Sequence, residues 1–107
     1  MLTEQEILER ADAYLSSLEI GTDLGLIIGH DHTIKKSYGQ VFFYNSKKFI
    51  ETNNFEYALA GNAPFLVENK TGRVVIFGTL KEIGSYIEEY ESGTWIPGEN
   101  GIWEPEE

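Results

Sequence analysis

Apolar positions recur at helical spacing near the start of the chain. Over 3–18, Ile7, Leu8, Ala11, Tyr14, Leu15 and Leu18 fall on one face, with Glu4, Glu9, Asp12 and Ser16 opposite. Thr3 and Glu6 make a Thr-x-x-Glu capping box ahead of that run. Ile20-Gly21 is the expected stop, because glycine tolerates the left-handed conformation that ends helices. The pattern then changes to short, dense apolar runs. LGLIIGH (24–30) and GQVFFYNS (39–46) read as strands, with a polar connection over 31–37. Lys47 to Ile50 either continue the second strand past a kink or begin a short third one. Thr52 to Asn54 read as a turn, and 55–62 fit a short helical turn.

APFLVE (63–68) and RVVIFG (73–78) form the clearest hairpin. Asn69-Lys70-Thr71-Gly72 joins them, with Gly72 suited to positive φ. Thr79 and Glu82 repeat the capping-box spacing and predict a second helix over 80–91, with Leu80, Ile83, Ile87 and Tyr90 inward. Gly84 inside that helix costs roughly 1 kcal/mol against alanine, so close packing is expected there. The last stretch, 92–107, is rich in Gly, Pro and Glu and has no period; it is expected to be irregular or partly mobile. The expected fold is α+β: an antiparallel sheet of four to five strands, with an N-terminal and a C-terminal helix packed on one face. It makes one domain over 1–91, followed by an acidic, tryptophan-bearing tail over 92–107.

Composition narrows the function classes. Eighteen acids against eight bases give a formal charge of −10, unevenly spread. Residues 1–23 carry −5 and 82–107 carry −8 with no base, whereas 24–81 carry +3. Such a polyanion repels nucleic acid and anionic lipid, and its acidic ends either maintain solubility or steer a basic partner. No cysteine is present, which removes disulfide scaffolds, thiolate metal sites and cysteine nucleophiles. MLTEQEILER lacks the basic and apolar regions of a signal peptide, and no apolar run approaches a membrane span. A cytoplasmic protein with neither membrane nor nucleic-acid partners is expected.

Candidate chemistry is sparse. His30-Asp31-His32 places two histidines two apart, which begins a metal site only if further ligands arrive; none is visible nearby, and no metal is expected. Adjacent acids at Glu88-Glu89 and Glu106-Glu107 point apart or lie in the tail, unlike the opposed carboxylates of glycosidases. No nucleophile elbow, Walker loop or dinucleotide fingerprint occurs, so neither cofactor nor catalytic residue is expected. Trp95 and Trp103 lie beyond the last predicted helix. They are either binding hot spots or plugs that return to the domain's own core.

The stretch Leu59-Ala60-Gly61-Asn62-Ala63-Pro64-Phe65, with Thr71-Gly72 and then Gly78-Thr79, resembles the immunity protein 35 family of small bacterial domains. The likeness extends back through Phe42-Phe43-Tyr44-Asn45-Ser46-Lys47 and forward to Tyr90-Glu91. It implies a cytosolic, non-enzymatic antidote that binds and blocks a cognate toxin, including toxins with peptidase-like domains. The family usually has tryptophan just before the Val-Phe-Phe-type strand, where this chain has Gln40 after Gly39. A toxin-binding surface is expected at Trp95, Trp103, Glu99 and Glu104, then at Glu88, Glu89 and Glu91. The rival reading is a stand-alone acidic stress or chaperone-like protein that holds unfolded clients.

Overall fold

The computed structural model describes residues 1–19, 25–58, 62–95 and 101–104. Helix α1 spans Glu4–Leu18, and both halves of its capping box are made. Thr3 Oγ1 accepts the Glu6 N–H at 3.1 Å, and the Glu6 carboxylate accepts the Thr3 N–H at 3.0 Å. Its buried face is Ile7, Ala11, Tyr14 and Leu15, as the apolar spacing predicts. The expected stop at Ile20-Gly21 lies outside the described residues.

Two antiparallel sheets follow. Strands β1 (Leu26–Ile28) and β4 (Tyr44–Ser46) pair in a small sheet. The main sheet has the order β2-β3-β5-β6-β7, from β2 (Ile34–Lys36), β3 (Gly39–Phe42), β5 (Phe65–Glu68), β6 (Val74–Ile76) and β7 (Ile102–Trp103). The run 39–46 is thus two strands in different sheets, parted at Phe43. Lys47 to Ile50 form no strand but open helix α2 (Lys47–Thr52), because the Ser46 hydroxyl accepts the Phe49 N–H at 3.1 Å and caps it. The polar connection 31–37 holds a 3₁₀ turn at His30–His32 and the edge strand β2.

The α+β class and the five-stranded antiparallel sheet match the sequence reading. The helices, however, lie on opposite faces of the sheet rather than on one. Phe42, Phe65, Val67 and Val74 cluster with the buried face of α1. Their alternating neighbours Val41, Leu66 and Val75 cluster instead with Phe77, Tyr86 and Ile87. Strands apolar at successive positions need cover on both faces, and α3 (Ile83–Ser92) supplies the second cover.

Helix α3 also starts later than Thr79 suggests. Glu82 takes the N-cap place with an extended backbone and no side-chain cap bond. The Leu80 N–H instead donates to the Tyr86 hydroxyl at 3.1 Å, so the lead-in wraps around that tyrosine. Leu80 consequently faces solvent, 94% exposed, rather than the core. Gly84 is not closely packed: a Cβ there would meet nothing within 4 Å.

The described part of the 92–107 segment returns to the sheet. The Thr94 and Trp95 N–H groups both donate to the Glu89 carbonyl. β7 then pairs with β6 through Val74↔Trp103 and Val75↔Ile102. The two tryptophans reach opposite faces. Trp103 stands edge-on to Tyr14 at 5.5 Å, and Trp95 stands edge-on to Phe77 at 5.8 Å.

Candidate functional site

The densest polar cluster sits where the β5–β6 hairpin meets α3. Gly72, at φ +73°, lets the chain turn tightly enough for the two strands to face each other. That turn brings Arg73 back against Glu68, whose carboxylate it grips with two hydrogen bonds, Nε to Oε1 at 2.9 Å and Nη2 to Oε2 at 3.0 Å. The Thr71 hydroxyl donates to Glu68 Oε1 at 2.9 Å. The Tyr90 hydroxyl, from the α3 side, donates to Oε2. Tyr38 lies against Tyr90, ring centroids 5.0 Å apart, and donates its own hydroxyl to Glu91 at 2.6 Å.

Burial pushes the Glu68 carboxyl up, but the bonds from Arg73, Tyr90 and Thr71 outweigh it and hold the group below its usual range. Burial and the bond to Glu68 push the Tyr90 phenol up to about 12. For Glu91, the Tyr38 hydroxyl and then Lys36 lower the carboxyl. These groups border a cleft of about 560 Å³, with Tyr38 and Tyr90 as walls and Lys70 and Glu104 among its charged lining. Glu68 accepts four donors, so it braces the hairpin against α3 rather than standing ready to take a proton. The cleft offers aromatic surface and charges of both signs, a chemistry suited to seating another protein's side chain.

Stability should therefore depend on acid through this brace. A lowered carboxyl contributes stability that is full above its unfolded range and is lost as pH falls through the folded value. Tyr90→Phe is expected to cost roughly 1–2 kcal/mol at neutral pH, with that gap narrowing at an acid pH below the usual carboxylate range as Glu68 protonates. Urea midpoints of both proteins at the two pH values check this; a gap independent of pH contradicts it.

The sequence candidates disperse. Trp95 and Trp103 are half-buried in the two cores. Glu89 pairs with Lys81 at 2.5 Å and Glu91 with Lys36 at 3.3 Å. Glu88 is exposed on α3 and, among the described residues, its side chain has no hydrogen bond or ion pair. Glu104 is exposed and lines the cleft. Glu99 and the Glu106-Glu107 pair lie outside the described residues. Spacing marks Tyr90 only as a core-facing helix position and does not mark Tyr38, Glu68 or Arg73, since the four converge from α3, the β2–β3 turn, β5 and the β5–β6 turn. The one available signal was a Glu and an Arg flanking a Thr-Gly hairpin turn. His30 and His32 are exposed in the 3₁₀ turn, and His32 packs edge-on near Phe43 at 6.5 Å. Among the described residues, no group of three or more His, Asp or Glu is placed to hold a metal ion. Nor is any helix among them long and apolar enough to cross a membrane.

Comparison with known proteins gives two findings. The profile of the family described as Immunity protein 35 matches residues 5–93. A protein of Escherichia coli (strain K12), described as "Uncharacterized protein YrhB", is 30% identical over 91 residues, covering 85% of this chain and 90% of that protein. No solved structure matches the chain at a significant level.

Proposed function

The chain belongs to the immunity protein 35 family, and on that premise we propose that it is a non-enzymatic, cytoplasmic antidote that binds and neutralises a cognate bacterial toxin domain. The observation that carries this reading is the family match over 5–93, which takes in α1, the small sheet, four strands of the main sheet and α3. The chemistry agrees with it: Glu68, the best-buried carboxylate among the described residues, is fully engaged by its neighbours, and the open groups around it are those of a recognition surface.

The surface proposed to meet the toxin is the outer side of α3 together with the cleft rim, with Glu88 and Glu104 as its open acids. Glu89 and Glu91 are partly neutralised by Lys81 and Lys36, and they contribute mainly to the local field. Trp95 and Trp103 act by holding the segment that carries Glu104 against the sheet. Charged groups at an interface rim chiefly set the association rate, whereas desolvated anchors set dissociation. Glu88→Lys and Glu104→Lys are thus expected to slow association with the toxin domain encoded beside this gene, to weaken the salt dependence and to leave thermal stability unchanged. Trp103→Ala is expected to lower thermal stability and affinity together. Surface plasmon resonance at two salt concentrations, with melting curves, separates these effects. Unchanged association in both charge reversals would remove this surface from the account.

A further inference from the structure

On the α1 side of the main sheet, one row of side chains crosses all five strands: Lys35, Gln40, Val67, Val74 and Trp103. Gln40 interrupts an otherwise apolar row. It is only 8% exposed, and among the described residues its side-chain amide makes no hydrogen bond. An amide that makes no bond within the protein and faces a cleft is open to a partner from outside it. Gln40 forms part of the lining of a cleft of about 210 Å³ beneath the first turns of α1. Thr33 lines the same cleft, and its Oγ1 is also buried without a partner. Two unpartnered polar groups therefore converge on one small space, with His30 and Lys35 beside them.

We propose that this cleft binds a single carboxylate group. The donors facing the cleft are the Gln40 amide N–H₂, the Thr33 hydroxyl and the Lys35 ammonium, and the one carboxylate in its lining, Glu4, is already paired to Lys35. Lys35 is held by Glu4 at 2.9 Å, but both side chains are largely exposed. An incoming carboxylate can take Glu4's place on that ammonium without exposing a buried charge. A metal cation is disfavoured by the ammonium at the rim. The volume lies below the roughly 300–1,000 Å³ of pockets for drug-sized ligands, so it suits acetate or the tip of an aspartate or glutamate side chain. Most of the lining, His30, Thr33, Lys35, Gln40 and Phe42, comes from the one stretch, 24–81, whose formal charge is positive, while Glu4 and Leu8 come from the acidic stretch before it.

The test uses the full chain and does not involve a toxin, so its outcome is independent of the antidote reading. ¹⁵N–¹H spectra are recorded during titration with sodium acetate, with acetamide, and with sodium chloride at matched ionic strength. The Gln40 side-chain amide and the Thr33 backbone amide are expected to shift saturably with acetate and not with chloride, and more weakly with acetamide. Gln40→Leu is expected to lose the saturable response and to melt several degrees higher, because it completes the apolar row. Thr33→Val provides the second variant, with a weakened response. Tighter binding of N-acetyl-aspartate methylamide than of acetate assigns the carboxylate to a protein side chain; equal or weaker binding assigns it to a free acid. Shifts that stay linear, or match those with chloride, overturn the proposal. So does a saturable response that persists unchanged in both variants.

Discussion

Gly39→Ala is expected to destabilise the protein by about 3 kcal/mol, as the new side chain has nowhere to go. Gly39 sits in β3 at φ +159°, and a Cβ there would lie 2.1 Å from the Val67 carbonyl oxygen and 3.1 Å from the Glu68 Cα. Both obstacles are backbone of β5, so no side chain can rotate aside. Relief requires β3 and β5 to separate at the Gly39↔Glu68 end of their register. That end also carries the Glu68 brace, so the loss extends from pairing to the cleft. At roughly 4–8 °C per kcal/mol for a domain near this size, the melting midpoint should fall by about 12–24 °C. Gly84→Ala is the matched control: its Cβ meets nothing within 4 Å, and in a helix interior alanine gains roughly 0.5–1 kcal/mol over glycine. Urea unfolding of both variants checks the pair. A Gly39→Ala protein as stable as wild type would show that β3 and β5 do not approach so closely.

Phe65→Ala should cost still more, about 3–5 kcal/mol. Phe65 is fully buried in β5, with ring centroids 4.8 Å from Tyr14, 5.6 Å from Phe42 and 6.1 Å from Tyr44. Those three rings belong to α1, to the main sheet and to the small sheet, so one side chain ties three elements together. Truncation leaves a cavity that none of them can fill without moving. Against a total stability of about 5–15 kcal/mol for a typical domain, this variant should be partly unfolded at moderate temperature. Near-ultraviolet circular dichroism, which reports on Tyr14 and Trp103 packing, should weaken with it. Phe55→Ala, at a ring 79% exposed, should change neither quantity appreciably.

These residues also mark how far the sequence could be read. α1 was legible to its cap because Thr3, Glu6 and the apolar stripe are local signals that agree. The β5–β6 hairpin was legible for the same reason, through two apolar runs around a Thr-Gly turn. Thr79-x-x-Glu82 misled because its spacing matches a capping box while Tyr86 captures the intervening N–H group. Edge strand β2 is polar on its exposed side, so period gives it no signature. β7 is two residues long and exists only because β6 offers it an edge. The Glu68–Arg73–Tyr90 cluster depends on α3 crossing the face opposite α1, which two local helix readings cannot specify. Gln40 stood out as a departure from the family pattern, but only the register of β3 shows that it interrupts a buried row.

The most direct measurement of the central claim mixes the purified chain with the cognate toxin domain proposed to be encoded beside its gene and follows binding heat and toxin activity in the same samples. The antidote reading predicts a saturable complex of fixed stoichiometry, with activity lost in proportion to its formation. An active toxin in the presence of excess folded chain, with no binding heat, would contradict it.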